Sequence, residues 1–310
     1  MGYAVVLGEA LVDLLEADLD GELIYRQAIG GAPLNVAVGA TRLGGDVRYA
    51  GSLSNDILGD RLAAFLRTAG VDLSAVQRVP APTTLAVTTF VGAEPTFTFY
   101  GEPPSYALLD EVDPAVVRGA DVLYAGSIAL LRSPFVETAK RAWGENGPLK
   151  VFDPNVRPTL LPGPQAVGDL RKLVEEFFAT ADLVKLSSAD AAVLYDGAEP
   201  AAAAERIRGL GARAVVVTCG AKGAYVAAAD GAEILPAPSV AAIDATGAGD
   251  SVMGALIRRL LADGFPAGLE GWRRNVRFAL AVAGLVCERQ GGATAMPTNE
   301  ELTARWGALL

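Results

Sequence analysis

Short runs rich in Val and other strand-forming residues, YAVVLG, VRYAGS, DVLYAGS, LKVFD, DLVKLS and RAVVVTCG, recur along the chain, and most stretches between them have the length and roughly 3.6-residue patterning of helices. This alternation constrains the fold more than any other feature. It predicts an α/β chain in which a mostly parallel sheet is covered by helices on both faces. Helix starts have local support: Pro33 begins a helix over LNVAVGATRL, Asp113-Pro114 opens another and Ser133-Pro134 a third, each with proline at or near the first turn. The alanine-rich AEPAAAAERIRGLGAR reads as a helix ending at Gly209 or Gly211 rather than as a linker.

Two segments depart from the alternation. Leu14 to Gln27 has little helical periodicity, while TTLAVTTFV from Thr83 and TFTFYGE from Thr96 are strand-like runs joined by Gly92-Ala93-Glu94-Pro95, which reads as a hairpin. A hairpin paired with an earlier extended segment predicts a small β-layer beside the main sheet, near residues 12–30 and 83–101. Such a layer suits a lid over a site or a contact between two copies of the chain, and the sequence does not choose between them.

Composition bounds the chemistry. The chain has 310 residues, 51% hydrophobic and 20% charged, as expected of one core-forming domain or one domain with a small appendage. Its net charge of −10 has the wrong sign for nucleic acid or an anionic membrane. Histidine is absent, which removes Ser-His-Asp and Cys-His catalysis and HExxH zinc sites and leaves carboxylates, amines, hydroxyls and backbone groups. Cys219 and Cys287 lie far apart in apolar runs and read as small buried hydrophobes, consistent with a reducing cytoplasm. MGYAVVLGEA reads as a first buried strand rather than a secretory signal, and the longest strongly apolar stretch, FALAVAGLVC, is too short to span a bilayer.

The segment IDATGAGDSVMGALIRRL carries the strongest chemical signal. Gly247, Ala248 and Gly249 run directly into an apolar-periodic helix, an arrangement that aims free backbone N–H groups and the positive end of the helix dipole at one spot suited to an anion. Asp250 stands in the first turn and Asp244 precedes the glycine turn. The order Asp, Gly-Ala-Gly, Asp fits phosphoryl transfer: N–H groups neutralise the moving phosphoryl and a carboxylate takes the acceptor hydroxyl's proton. GxxxxGK[ST], GxGxxG and HRD are all missing, which excludes the P-loop and protein-kinase types. A second constellation joins Asp13, at a strand end, to Gly30-Gly31-Ala32-Pro33-Leu34-Asn35. Paired glycines permit close backbone approach to a ligand, and Asp and Asn supply acceptors and donors for sugar hydroxyls.

Along essentially its whole length the chain resembles the PfkB (ribokinase-like) carbohydrate kinase family. GGAPLNVAVGATRLGGDVRYAGSLSNDILGDRL is similar to the family's N-terminal pattern and DATGAGDSVMGALI to its C-terminal one; GEALVDLL, FDPNVRP, VTCGAKGAYV and GGATAMPTNEEL are most similar to the bacterial fructokinases within it. The resemblance implies one three-layer α/β/α sandwich over residues 1–310 with a small β lid. It implies Asp250 as the catalytic base and Gly247, Ala248 and Gly249 as the anion hole. Asp13, Gly30, Gly31 and Asn35 would bind the sugar, and Arg157 would approach the sugar or the phosphoryl. Lys185, Ser187, Thr218, Gly220, Lys222 and Gly223, with Gly247 and Gly249, match the ATP side, and Asp244, Thr246 and Gly291 resemble a potassium site. Where many relatives carry an Asn-x-x-Glu motif associated with magnesium, this chain has Ser187-Ser188-Ala189-Asp190, in which Asp190 keeps a carboxylate on a shorter stem, so Mg²⁺ is expected to be needed with its protein contacts through water.

The implied partners are a small-molecule sugar and ATP, with no nucleic acid, no membrane and a homodimer through the lid as one option. The implied reaction is ATP-dependent phosphorylation of a sugar primary hydroxyl, with D-fructose as first choice and 2-keto-3-deoxygluconate or ribose as alternatives. A non-catalytic sugar sensor on the same fold is the reading from another class.

Overall fold

The computed structural model describes residues 2–91 and 94–307. Its central sheet has eight strands in the order Gly231–Leu235, Ala224–Ala228, Ala214–Thr218, Leu183–Ser187, Leu149–Asp153, Val122–Gly126, Ala4–Leu7, Val47–Ala50. The six strands from Val47–Ala50 to Ala214–Thr218 are parallel, and the last two add on antiparallel.

The two-residue period of a strand divides these apolar runs between two cores. Ala4, Val6, Val122, Tyr124, Ala214 and Val216 pack into one core, with helices Ala32–Arg42, Ala248–Asp263 and Leu269–Cys287. Val5, Leu7, Leu123, Ala125, Val215 and Val217 pack into the other, with helices Phe135–Trp143, Gly163–Phe178, Ser188–Leu194 and Pro200–Leu210. The fold is therefore a three-layer α/β/α sandwich, as the alternation and the resemblance lead one to expect. On the second face Trp143, Phe152, Phe177 and Phe178 form an aromatic cluster, with Phe152 and Phe177 stacked at 4.8 Å between centroids.

The helix starts agree with the proline signals: Ala32–Arg42 and Pro114–Arg118 have proline in the first two positions, and Phe135–Trp143 begins just after Pro134. The alanine-rich helix runs Pro200–Leu210 and stops at Gly211, whose φ of 135° lets the chain leave the helix. FALAVAGLVC forms the second half of helix Leu269–Cys287; among the described residues no helix is long and apolar enough to cross a membrane. Cys219 and Cys287 correct their expectation. Both are free but only half-buried, because each stands at the end of its element rather than within it.

A second sheet of four strands, in the order Glu22–Gly30, Leu11–Leu19, Leu85–Val91, Glu94–Tyr100, stands beside the main one. The strand pair Leu85–Val91 and Glu94–Tyr100 is the expected hairpin, although Gly92 and Ala93 of its connection lie outside the described residues. The segment from Leu14 onward is itself a long hairpin, turned at Asp20-Gly21, where φ is 55° and 86°. Asp-Gly is a strong two-residue turn signal because both positions need positive φ, and it stands openly in the sequence. Asp56 ties this sheet to the body: it caps helix Ile57–Thr68 through Gly59 N–H and accepts from both the N–H and the hydroxyl of Thr83, just before the strand Leu85–Val91.

Candidate active site

The carboxyl ends of the parallel strands and the inner face of the second sheet enclose a cleft of about 1150 Å³. This is where open α/β sheets bind ligands, because the loops there diverge and helix N-termini converge. Four of the six parallel strand ends contribute a polar residue: Glu9 after Ala4–Leu7, Ser127 after Val122–Gly126, Asn155 after Leu149–Asp153 and Ser187 at the end of Leu183–Ser187.

At the centre lies the start of helix Ala248–Asp263. Gly247 adopts a left-handed φ of 76° as its N-cap, and a Cβ there would come within 2.8 Å of Gly292 Cα. No side chain caps this helix, and among the described residues the first-turn N–H groups of Gly249 and Asp250 have no acceptor. Those two donors and the helix dipole together form an anion site. Asp250 is 8% exposed, and Asn35 Nδ2 donates to its Oδ2 at 2.8 Å.

This pairing of residues 215 positions apart has a packing cause. Four residues beyond each partner stands a glycine, Gly39 and Gly254; a Cβ at Gly254 would lie 3.0 Å from Ala40 N and Val36 O, so helices Ala32–Arg42 and Ala248–Asp263 cross at backbone contact. The next turn of each helix then brings Asn35 and Asp250 together. Asn35 Oδ1 is buried without a partner, an acceptor open to a ligand.

Burial pushes the Asp250 carboxyl above its ordinary range; Lys185, the Asn35 hydrogen bond and Arg157 pull it back, and Asp190 pushes it further up. Lys185, expected on the ATP side, lines the cleft, and its ammonium lies 3% exposed beneath the glycine turn, paired with Asp153 at 2.8 Å. Burial alone would strip its proton, but Asp153, Asp250 and Asp190 outweigh it and keep the ammonium charged. A Cβ at Gly249 would stand 3.0 Å from this Nζ, so glycine leaves the approach open.

Arg157 is exposed on the cleft wall and its guanidinium donates to Val156 O at 3.2 Å; it does not pair with Asp153 or Asn155, whose own bonds go to Lys185 and Ser127. Its charge acts on Asp13, Glu9 and Asp250. Desolvation raises Asp13 to about 6, and Arg157 moderates the rise. At the glycine pair beside Asp13, part of the room is used by the chain itself. A Cβ on Gly30 would strike the Asp13 carboxylate at 2.1 Å, and one on Gly31 would meet Glu9 O at 2.6 Å; Gly31 lines the cleft and Gly30 stands behind it.

Of the expected nucleotide residues, Lys185, Ser187, Gly247 and Gly249 line this cleft, whereas Thr218, Gly220, Lys222 and Gly223 do not and belong to the neighbouring strand end and turn. Asp190, read as the remnant of a magnesium motif, spends both oxygens within the chain: it accepts from Val156 N–H, Ser187 N–H and Ser187 Oγ, closing a capping box. Each oxygen is thus engaged within the chain, and no cluster of three His, Cys, Asp or Glu suited to a metal occurs among the described residues. Asp244, Thr246 and Gly291 do come together, since Asp244 accepts from Thr246 N–H at 2.8 Å and Gly291 N–H at 2.9 Å. These bonds outweigh partial burial and keep the carboxylate ionised.

Sequence reasoning missed Glu9. It is 2% exposed, accepts from Ser127 Oγ at 2.6 Å and Ala129 N–H at 3.3 Å, and burial raises its carboxyl to about 7. Asn155 Nδ2 donates to the same Ser127 hydroxyl at 3.1 Å, so a polar chain joins three strand ends under the cleft. Ser127 and Asn155 hold φ of 66° and 38°, unusual for non-glycine residues and maintained by these bonds.

The cleft thus joins an uncapped helix N-terminus, a buried carboxyl and several polar side chains. Against known proteins, residues 1–299 match the pfkB family carbohydrate kinase. A fructokinase of Klebsiella pneumoniae is 33% identical over 314 residues, covering 97% of this chain and 98% of that protein. Among solved structures, a fructokinase of Xylella fastidiosa with bound ATP superposes with a TM-score of 0.87 at 29% identity, covering 99% of this chain and 98% of that one. A double mutant of the Vibrio cholerae O395 fructokinase, with fructose, ADP and potassium ion bound, gives 0.84 at 30%, covering 98% of each. The chain belongs to the pfkB family of carbohydrate kinases.

Proposed function

We propose that this kinase transfers the terminal phosphoryl of ATP to the primary hydroxyl of D-fructose, giving fructose 6-phosphate and ADP. One observation carries the chemistry: Asp250, buried and hydrogen-bonded to Asn35, stands in the first turn of a helix whose N–H groups at Gly249 and Asp250 are free for an anion. The choice of fructose is supported by the full-length likeness to fructokinases.

In this reading the sugar enters under the second sheet, which serves as a lid. Asp13 accepts from its hydroxyls and the open Oδ1 of Asn35 from another. The acceptor oxygen lies against Asp250, whose raised pKa makes it a better base than a solvated aspartate. As the sugar oxygen bonds to phosphorus, the bond from phosphorus to the bridging oxygen of ADP breaks and the hydroxyl proton passes to Asp250. Charge on the moving phosphoryl meets the helix N–H groups and Arg157, donors aligned before the reaction begins. Lys185 neutralises Asp153 beneath the turn and limits the rise of the Asp250 pKa.

Asp190, which lines the cleft, is the carboxylate that would hold magnesium through water, and the ion would supply shielding of phosphate charge. The Asp244 carboxylate, joined to Thr246 and Gly291 beside the glycine turn, is the hard oxygen group that would hold potassium, and the ion would fix that turn. The exposed Leu19, Leu23, Tyr25 and Tyr100 of the second sheet serve as contact with a second copy of the chain.

The test is ATP turnover by purified protein against D-fructose, 2-keto-3-deoxygluconate and D-ribose, with the product's phosphate located by NMR. Highest kcat/KM on fructose with phosphate at the primary carbon is expected. A preference for either other sugar would move the substrate assignment, and no turnover of any sugar would favour a sensor.

A further inference from the structure

Two polar side-chain atoms on opposite walls of the cleft are buried and without partners. One is Asn35 Oδ1, on helix Ala32–Arg42; the other is Thr88 Oγ1, on strand Leu85–Val91 of the second sheet. Thr88 is 4% exposed. Its cross-strand neighbours are Leu15 and Phe97, and with Ala86, two residues earlier, these line the same cleft. None of the three has a polar side-chain atom, so the hydroxyl is desolvated in apolar surroundings with nothing to bond.

Such a group costs stability, and threonine gains nothing over isosteric valine at a strand position packed on leucine and phenylalanine. Local packing logic fails at this one inner-face position, as it does where function holds a residue against stability. Asp13, paired with Ala86, lies diagonally across from Thr88 on the same inner face. Asp13 and Asn35 Oδ1 can only accept when the carboxylate is ionised, whereas Thr88 can both donate and accept.

Resting on the sugar-kinase reading above, we propose that Thr88 is a specificity-determining residue whose hydroxyl takes up one hydroxyl of the bound sugar from the lid side. The aromatic Phe97 and Phe99 cover the sugar's apolar face, while Thr88 makes the cover selective for a hydroxylated carbon. A site built to meet a hydroxyl rejects an analogue lacking it, because the protein group is left unpaired.

The test measures binding of D-fructose and its monodeoxy analogues by calorimetry with a non-hydrolysable ATP analogue present, in wild type, Thr88→Val and Thr88→Ser. Thr88→Val is expected to weaken fructose binding about 5- to 50-fold with ATP-analogue affinity and melting temperature not lowered, since an unpaired buried hydroxyl is removed. Thr88→Ser is expected to bind as wild type. One monodeoxy analogue should bind wild type and Thr88→Val equally. Unchanged fructose affinity in Thr88→Val, or a loss matched by falling melting temperature and ATP-analogue affinity, would overturn the proposal. Sugar binding without phosphoryl transfer would sink the kinase reading and leave the Thr88 comparison decisive; no binding of any sugar would remove both.

Discussion

Glu9→Gln tests the strangest feature of the cleft, a buried carboxyl that holds its proton up to about pH 7. Burial lifts Glu9 from 4.5 to about 7, against the opposing pull of Ser127, Ala129 and Arg157. The facing Tyr49, Tyr106 and Tyr124 offer no positive charge, and Glu9 raises each of their pKa values in turn. Between those two values the native protein holds a proton on Glu9 that the unfolded chain has released. Stability from this group is therefore complete below about pH 4.5 and falls as pH rises through about 7. A difference of about 2.5 pH units, at about 1.4 kcal/mol each, makes the whole effect about 3 kcal/mol. Because the acidic chain approaches neutrality at low pH, the practical window is about pH 5.5 to 8, over which the wild type should lose about 2 kcal/mol through this residue.

Glutamine keeps the shape but sets an amide NH₂ where two donors already converge, a penalty of about 1–3 kcal/mol that does not vary with pH. The informative quantity is thus the change with pH in the stability difference between wild type and variant, measured by urea unfolding. Other raised groups such as Asp13, at about 6, act in both proteins and cancel. The variant should gain on wild type by about 2 kcal/mol from the acid to the alkaline end. A difference flat to within about 0.5 kcal/mol would refute a neutral Glu9, and a trend of opposite sign would mean that its hydrogen bonds and Arg157, rather than burial, control the carboxyl.

Asp250→Asn should lower turnover by about 10²–10⁴ with sugar and ATP affinities nearly kept, and a loss under about tenfold would exclude it as base. In wild type, kcat should fall as pH drops through the raised Asp250 pKa, and a flat acid limb would argue against that assignment. Turnover should rise with K⁺ more than with Na⁺ or Li⁺ at matched ionic strength, and Asp244→Ala should abolish the difference; equal rates in all three salts would leave Asp244 a purely structural acid. Leu23→Glu should convert a dimer to monomer in sedimentation analysis, and a wild type already monomeric at micromolar concentration would remove the lid contact.

The three-layer sandwich was legible in the sequence because burial on both faces forces each strand to be apolar throughout, and helical crossovers force the alternation. The glycine turn at Gly247–Gly249 was legible for the same local reason, since a left-handed residue before a helix needs glycine. The hairpin at Asp20-Gly21 is equally local, since an Asp-Gly pair specifies a two-residue turn through its own positive φ values.

What only the tertiary structure decided depends on residues far apart in the chain. Asn35 meets Asp250 because two glycines one turn farther on let their helices touch. Lys185 becomes a buried partner of Asp153 because the two directly follow the paired residues Val184 and Phe152 on adjacent parallel strands, and a lone charge at that depth must be paired. Glu9 and Thr88 look ordinary in sequence, one acid after a glycine and one threonine in a strand. Their significance is environmental: burial raises the proton affinity of the first and leaves the second without a partner, and burial is set by the packing of the whole fold.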